Sequence, residues 1–306
     1  MDFSFIHLRF TIHTRDIPRL VSYLHRSGPD FAKVFRRLVC NRKAPECPNS
    51  PDCADCSYHA LFGQQLGADP SAVRCHQKPP LPFIFSFPAP GTATKKSDSV
   101  TCTLVLVGKA LNHTAVFMDA LRSLLADGYQ AGHFSEATIS MVESLDFHGN
   151  PATIAAGETA PDTGNMVTLD AQGVIDSCCR PTNVVGITFI TPLKLAKNGK
   201  IMCSFDAGQF IRSLMRRISA LAYYYCGFEM RDNFREYAHA ANRIELLEDN
   251  FFYADAGRRS LALSGVAGDG VMSGDLNDLM PFLILGEYLH LGKGASYGMG
   301  QYRLAW

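Results

Sequence analysis

Two stretches of this chain hold residue types that could act on a phosphodiester. One is Gly292-Lys293-Gly294-Ala295-Ser296-Tyr297-Gly298-Met299-Gly300. Glycine lets a backbone approach a phosphate closely and present N–H donors, and the lysine adds a positive charge. The dinucleotide fingerprint would need glycine where Tyr297 stands, the P-loop spacing is absent, and a strand rather than a helix follows. A tight helix-to-strand connection is the competing reading of the same glycines. The other stretch runs from Arg15 to Lys43. It holds Arg15, Arg19, Arg26, Lys33, Arg36, Arg37, Arg42 and Lys43 against Asp16 and Asp30, so eight cations and two acids leave a local balance of +6. That asymmetry points to an anionic partner, where the bland alternative is a solvated helix face.

His25 falls inside the basic segment, near the C-terminal end of a predicted helix. The partial negative charge of a helix end favours the protonated imidazole. Beside a phosphate-binding face, such a group suits proton transfer to a leaving oxygen. Among the other histidines, His7 alternates onto the polar face of a strand, and His290 ends a helix as a cap. His59 and His76 flank a cysteine-rich region. No Ser-His-Asp spacing, HExxH or paired-carboxylate motif is present.

Four of the ten cysteines, Cys40, Cys47, Cys53 and Cys56, are separated by six, five and two residues. Clustering argues against an extracellular disulfide framework. The terminal CxxC makes a metal knuckle, so a structural zinc on these four thiolates is expected, with His59 as a substitute ligand. Iron–sulfur ligation and inert thiols are the alternatives.

These residues need a scaffold, and the composition supplies one. Of the 306 residues 47% are hydrophobic and 19% charged, which excludes a disordered chain. Lys+Arg and Asp+Glu are both 29, so a uniformly basic nucleic-acid coat is excluded while a local patch is not. No apolar run is long enough to span a membrane, and Met1-Asp2-Phe3 does not open a secretory signal, so a reducing cytoplasm is the expected compartment.

Residues 3–13 alternate, with Ile6, Leu8, Phe10 and Ile12 on one face, which predicts a half-buried strand. Helices are predicted at 17–27 and from Asp30 to Val39, broken by Gly28-Pro29. A strand at 100–109, a helix at 112–127 and a strand at 137–147 follow. Residues 149–165 are rich in Gly, Pro, Ala and Thr and read as a boundary or a long hairpin. Next come a strand at 184–195, a helix at 205–226, strands at 244–254 and 260–274, a helix at 278–290 and a strand at 297–305. The order β-α-β-β-α-β is ferredoxin-like. The predicted class is therefore α+β, with tandem ferredoxin-like domains at 1–160 and 161–306 and a Cys-rich insertion at about 40–76.

LHLGKGASYGMGQYRL (289–304) resembles the C-terminal glycine-rich signature of the RAMP superfamily of CRISPR proteins. More narrowly, the chain is similar to the repeat-processing endoribonucleases of the Cas-six family. GITFITPLKLAKNGK (186–200) followed by FDAGQFIRSLMRRISAL (205–221) matches that family's pattern, and CSYHALFG (56–63) with PPLPFIFSFP (79–88) looks like one of its branches. Residues 254–270 lack the Arg-Tyr-Ser-Asn-Arg-Gln run of that branch, with Arg258 and Arg259 in its place. The resemblance implies a protein that binds CRISPR repeat RNA and cuts it without a catalytic metal. Attack by a ribose 2′-hydroxyl would leave a 2′,3′-cyclic phosphate and a 5′-hydroxyl. It also implies a histidine near the first helix, matched in position by His25, with Tyr23 and Lys33 as helpers. RNA contacts are expected at Arg26, Arg36, Arg37, Gly292, Lys293, Gly294, Gly298 and Gly300. The alternative is a non-catalytic RAMP subunit that holds crRNA within a CRISPR effector complex.

Overall fold

The computed structural model describes residues 3–40, 56–67, 78–89, 98–157, 159–197, 199–230, 234–255 and 263–306. The alternating segment forms β1 (Ser4–Thr14). Its even face, with Ile6, Leu8, Phe10 and Ile12, is buried in one core, while Phe5 belongs to the other. Two short helices follow, α1 (Ile17–Leu24) and α2 (Gly28–Val39). Asp16 caps α1, its carboxylate accepting from the Arg19 N–H at 3.4 Å. Then come α3 (Ser57–Phe62), β2 (Phe83–Ser86), β3 (Ser99–Val107), α4 (Thr114–Gln130) and β4 (Ala137–Leu145). The segment 149–165 supplies β5 (Pro151–Ala156), which returns antiparallel along β4. After it, β6 (Thr168–Asp170) pairs with β1, and α5 (Ala171–Cys178) follows.

The first sheet runs β2-β3-β1-β4-β5. Its first four strands have the antiparallel order of the ferredoxin-like fold. Helices α1, α2 and α4 cover one face through Leu20, Leu24, Phe31, Phe35, Phe117 and Leu121, all buried.

The second sheet uses β7 (Val184–Leu193), β10 (Glu245–Asp249), β11 (Phe252–Ala254), β12 (Gly265–Ser273) and β13 (Tyr302–Ala305), in the order β10-β12-β7-β13 with β11 also on β12. A small hairpin of β8 (Ala196–Lys197) and β9 (Lys200–Ile201) precedes α6 (Ala207–Leu221), and α7 (Phe234–Ala241) follows it. Helix α8 (Met280–Leu289) packs beside α6. This is again β-α-β-β-α-β, so the architecture is α+β with tandem ferredoxin-like units. The predicted helix at 205–226 is regular only to Leu221. Ala222–Cys226 widen into a π-turn closed by Gly227 at φ 69. Phe3, Phe5, Ile84, Val105 and Val107 of the first sheet share a core with α6 and α8, so the two sheets bury apolar surface against each other.

Candidate active site and RNA interface

His25 is the C-cap of α1, at φ −62 and ψ −18. The ring turns inward and is 4% exposed. Its Nε2 lies 2.9 Å from the Pro88 carbonyl oxygen just beyond β2, and Phe87 packs against it at 5.4 Å. A carbonyl only accepts, so Nε2 carries the hydrogen and the lone pair sits on Nδ1, which is buried without a partner. Burial pushes the His25 pKa down, and the Pro88 carbonyl offsets only part of that. The charge of a helix end by itself favours a protonated ring. Desolvation outweighs the helix-end charge, and the neutral ring is the favoured form.

The glycine-rich stretch leaves α8 and turns back into β13. Gly292, Gly294, Gly298 and Gly300 have φ of 90, 85, 89 and 65, a region that L side chains rarely adopt. At Gly300 a Cβ would also run into the Leu291 carbonyl. The glycines are therefore required by the path of the loop itself. That path accounts for the late start of the last strand, at Tyr302 rather than 297. Most loop amides serve the loop. Lys293 N–H donates to the Lys194 carbonyl at 2.9 Å, Tyr297 N–H to Gly294 at 2.8 Å and Gly300 N–H to Pro192 at 3.1 Å. The Thr191 hydroxyl donates to the Gly298 carbonyl at 2.7 Å, and Phe85 N–H donates to the Ser296 carbonyl at 3.0 Å. A phosphate reaching this loop would thus meet chiefly the Lys293 ammonium.

Helix end and glycine loop meet at a cavity of about 430 Å³. It is lined by His25, Arg26, Gly28, Pro29, Lys194, Lys293, Gly294, Tyr297 and Met299. Tyr297 lies over the start of α2, where a Cβ on Gly28 would sit 3.0 Å from its ring. Among the described residues, three cations and one histidine line this space and no carboxylate does. Lys194 is the member the sequence reading did not single out. Its carbonyl pairs with Lys293 across 99 residues of chain.

The remaining expected site residues lie elsewhere. Tyr23 stacks on His133 at 5.0 Å and packs at a tilt against Phe134, and burial raises its pKa. Lys33 pairs with Asp30 at 3.0 Å and Arg37 with Asp127 at 2.9 Å. The Arg36 guanidinium lies 5.9 Å from the centre of the Tyr58 ring. Cys40 caps α2 and Cys56 precedes α3. Cys47, Cys53, Arg42, Lys43, His76, Arg258 and Arg259 lie outside the described residues. Among the described residues no group of three or more His, Cys, Asp or Glu could hold a metal, and no helix is long and apolar enough to cross a membrane.

A second cavity of about 450 Å³ lies between the sheets, lined among others by His7, Tyr288, Gln301 and Arg303. Ser86, Phe87 and Pro88 also line it, so the strap that holds His25 separates the two spaces.

Two ferredoxin-like units clamping a glycine-rich loop define a tandem α+β protein with a cation-lined cavity at the junction. Residues 5–166 match the AF_1859_N N-terminal domain family, and residues 187–302 match the family of the CRISPR-associated endoribonuclease Cas6. The first match spans more than half of the chain, which belongs to that family, and the second makes its C-terminal unit similar to Cas6. Solved structures share the fold. A chain of a partial Cas6-RT-Cas1–Cas2 complex superposes with a TM-score of 0.57 at 10% identity, over 99% of this chain and 46% of that one. In another structure of the Cas6-RT-Cas1–Cas2 complex this chain spans only 29% of its counterpart. Thermus thermophilus Cas6 superposes with a TM-score of 0.52 at 14% identity, over 99% of both chains. No curated protein matches the sequence.

Proposed function

We propose that this protein is an endoribonuclease that cuts CRISPR precursor RNA within its repeats, without a catalytic metal. The observation that carries this reading is the cavity joining His25 to Lys194, Lys293 and Arg26. Cleavage by an internal 2′-hydroxyl needs a base for that proton, positive charge on the phosphorane and a proton for the leaving 5′-oxygen. Neutral His25 suits the base, with Nδ1 receiving the proton. The lysines and Arg26 suit the phosphorane. Lys194 or Lys293 suits the leaving oxygen, so the products would be a 2′,3′-cyclic phosphate and a 5′-hydroxyl. Nδ1 of His25 is buried and Nε2 is engaged by the Pro88 carbonyl, so RNA binding has to draw the ring from Pro88 toward the cavity. Catalytic hydrogen bonds commonly tighten only in the substrate complex.

That closure also favours a second reading, in which the protein holds crRNA in an effector complex and does not cut. Incubation of a CRISPR repeat transcript with excess protein in EDTA separates the two. Cleavage with cyclic-phosphate ends is expected. Binding without cleavage, in EDTA and in magnesium alike, leaves the holding subunit. Cleavage restored only by magnesium overturns the metal-free mechanism.

We further propose that Cys40, Cys47, Cys53 and Cys56 hold a structural zinc. The support is the CxxC spacing together with the ordered helix ends on which Cys40 and Cys56 stand. CRISPR effector subunits are the proposed protein partners.

A further inference from the structure

His290 ends α8 with φ 49 and ψ 174, a backbone region populated almost only by glycine. Its ring is 1% exposed. Burial, with Arg217 and Arg303 nearby, pushes its pKa to about 3, against the opposing influence of the Ala295 backbone. A strained and buried imidazole is a poor choice for a helix end, because glycine there would relieve the backbone at once. The side chain must serve a contact. It is hydrogen-bonded to Ser86, with Nε2 3.1 Å from the hydroxyl oxygen. That bond crosses from the second unit to β2 of the first.

The same strand end carries three further links. Phe85 N–H donates to the Ser296 carbonyl of the loop at 3.0 Å. Phe87 packs on His25 and lies against Gly298, where a Cβ would meet its ring at 3.1 Å. The Pro88 carbonyl holds His25. The strap from Phe85 to Pro88 therefore has the glycine loop on one side and His25 on the other. The Arg217 guanidinium donates to the Leu289 carbonyl at 2.9 Å and fixes the residue before His290.

We propose that His290 and Ser86 are positioning residues: their hydrogen bond registers the glycine-rich loop on the strand end that holds His25, and so sets Lys293 at the cavity. This rests on the cavity being the site of RNA cleavage. His290→Gly removes the ring and the strain together. Ser86→Ala removes only the hydroxyl, and Ser86→Thr keeps it.

The test uses the full chain and a CRISPR repeat transcript from the source genome. Single-turnover cleavage at saturating protein is measured beside melting temperature. His290→Gly is expected to melt at or above the wild-type temperature and to cleave at least tenfold more slowly. Ser86→Ala is expected to slow cleavage, Ser86→Thr to restore it, and the double variant to be no slower than His290→Gly. A second measurement does not depend on cleavage. Affinity for 2′-O-methylated repeat RNA, which cannot supply the attacking hydroxyl, is compared for Lys293→Ala in the wild-type and His290→Gly backgrounds. The loss caused by Lys293→Ala is expected to shrink at least threefold in the second background. Wild-type cleavage by His290→Gly, or an unchanged Lys293 effect, overturns the positioning role while leaving the cleavage site intact. A wild-type chain that binds but does not cut overturns the cleavage reading, and the affinity comparison still decides whether His290 sets Lys293.

Discussion

His25 and His290 are held by residues two apart on one strand end: Nε2 of His25 lies 2.9 Å from the Pro88 oxygen, and Nε2 of His290 lies 3.1 Å from the Ser86 hydroxyl. The first histidine comes from the helix side of one ferredoxin-like unit, and the second leads into the glycine loop of the other. Neither contact is local in sequence. The strap between them ties the packing of two units to the resting place of a candidate base beside a candidate phosphate-binding loop.

His25→Ala is expected to lower single-turnover cleavage about a hundredfold or more, since general acid–base groups typically contribute 10² to 10⁴. RNA affinity should barely change. The pH profile adds a sign. A base acts in its neutral form, and burial lowers the His25 pKa from its ordinary 6.5, so the acid limb of the rate profile should fall below 6.5. A limb centred above 6.5 would mean that the ring works as a cation, as the helix-end argument alone expected. Wild-type cleavage by His25→Ala would remove the residue from the mechanism.

Much of the fold was legible because its strongest signals are local. Strand β1 showed in the strict alternation of Ile6, Leu8, Phe10 and Ile12, since one face packs under helices. The helix α5 went unread. Its apolar face is only Ala171, Val174 and Ile175, with Gly173 between them, and its start depends on Asp170 accepting from the Gly173 N–H at 3.1 Å. At the site, the basic segment and the glycine loop were readable as composition. The neutral state of His25 was not, because Pro88 lies 63 residues away along the chain. Lys194 was invisible for the same reason.

Acid should destabilise the fold in a defined window. His7 is held at about 4 and His290 at about 3, mainly by burial, and His25 is also lowered. The unfolded chain protonates these rings near 6.5, while the folded chain keeps them neutral. Their contribution is fully present above 6.5 and is lost as the pH falls through the folded values. Between about 6.5 and 4, His7 and His290 each lower the unfolding free energy by about 1.4 kcal/mol per pH unit as the pH falls. Denaturant midpoints measured at pH 7, 6 and 5 should fall steadily, and less steeply in His7→Gln. A flat profile over this range would show that the rings titrate normally in the fold.

Elemental analysis of protein purified without chelator should find one zinc per chain. Thiolates at a CxxC knuckle suit a closed tetrahedral site, and binding of that kind is tight enough to survive purification. Serine at Cys53 and Cys56 together should abolish the signal. Under ~0.2 equivalents of any metal would count against the site.

The last prediction separates the two roles of the glycine loop. Gly294 has φ 85, and a Cβ there would sit 3.0 Å from the Met299 side chain. Gly294→Val should therefore destabilise the chain by about 1–3 kcal/mol, the usual cost of a side chain in a disfavoured backbone region. That loss is expected whether or not RNA touches the loop, so it cannot by itself report binding. Lys293 and Lys194 can. Both line the cavity, and a contact between an ammonium and a phosphate releases a counterion without reading a base. Lys293→Ala should leave the melting temperature unchanged, weaken binding of different RNA sequences alike, and lower the salt slope by about one ion. Lys194→Ala should likewise weaken binding and lower the salt slope, and its backbone carbonyl, which holds the loop, is untouched by the substitution. Affinities at four salt concentrations, taken beside melting curves, decide the matter. An unchanged slope in both lysine variants would leave the loop as a structural turn and place the phosphate path on the arginines of α1 and α2.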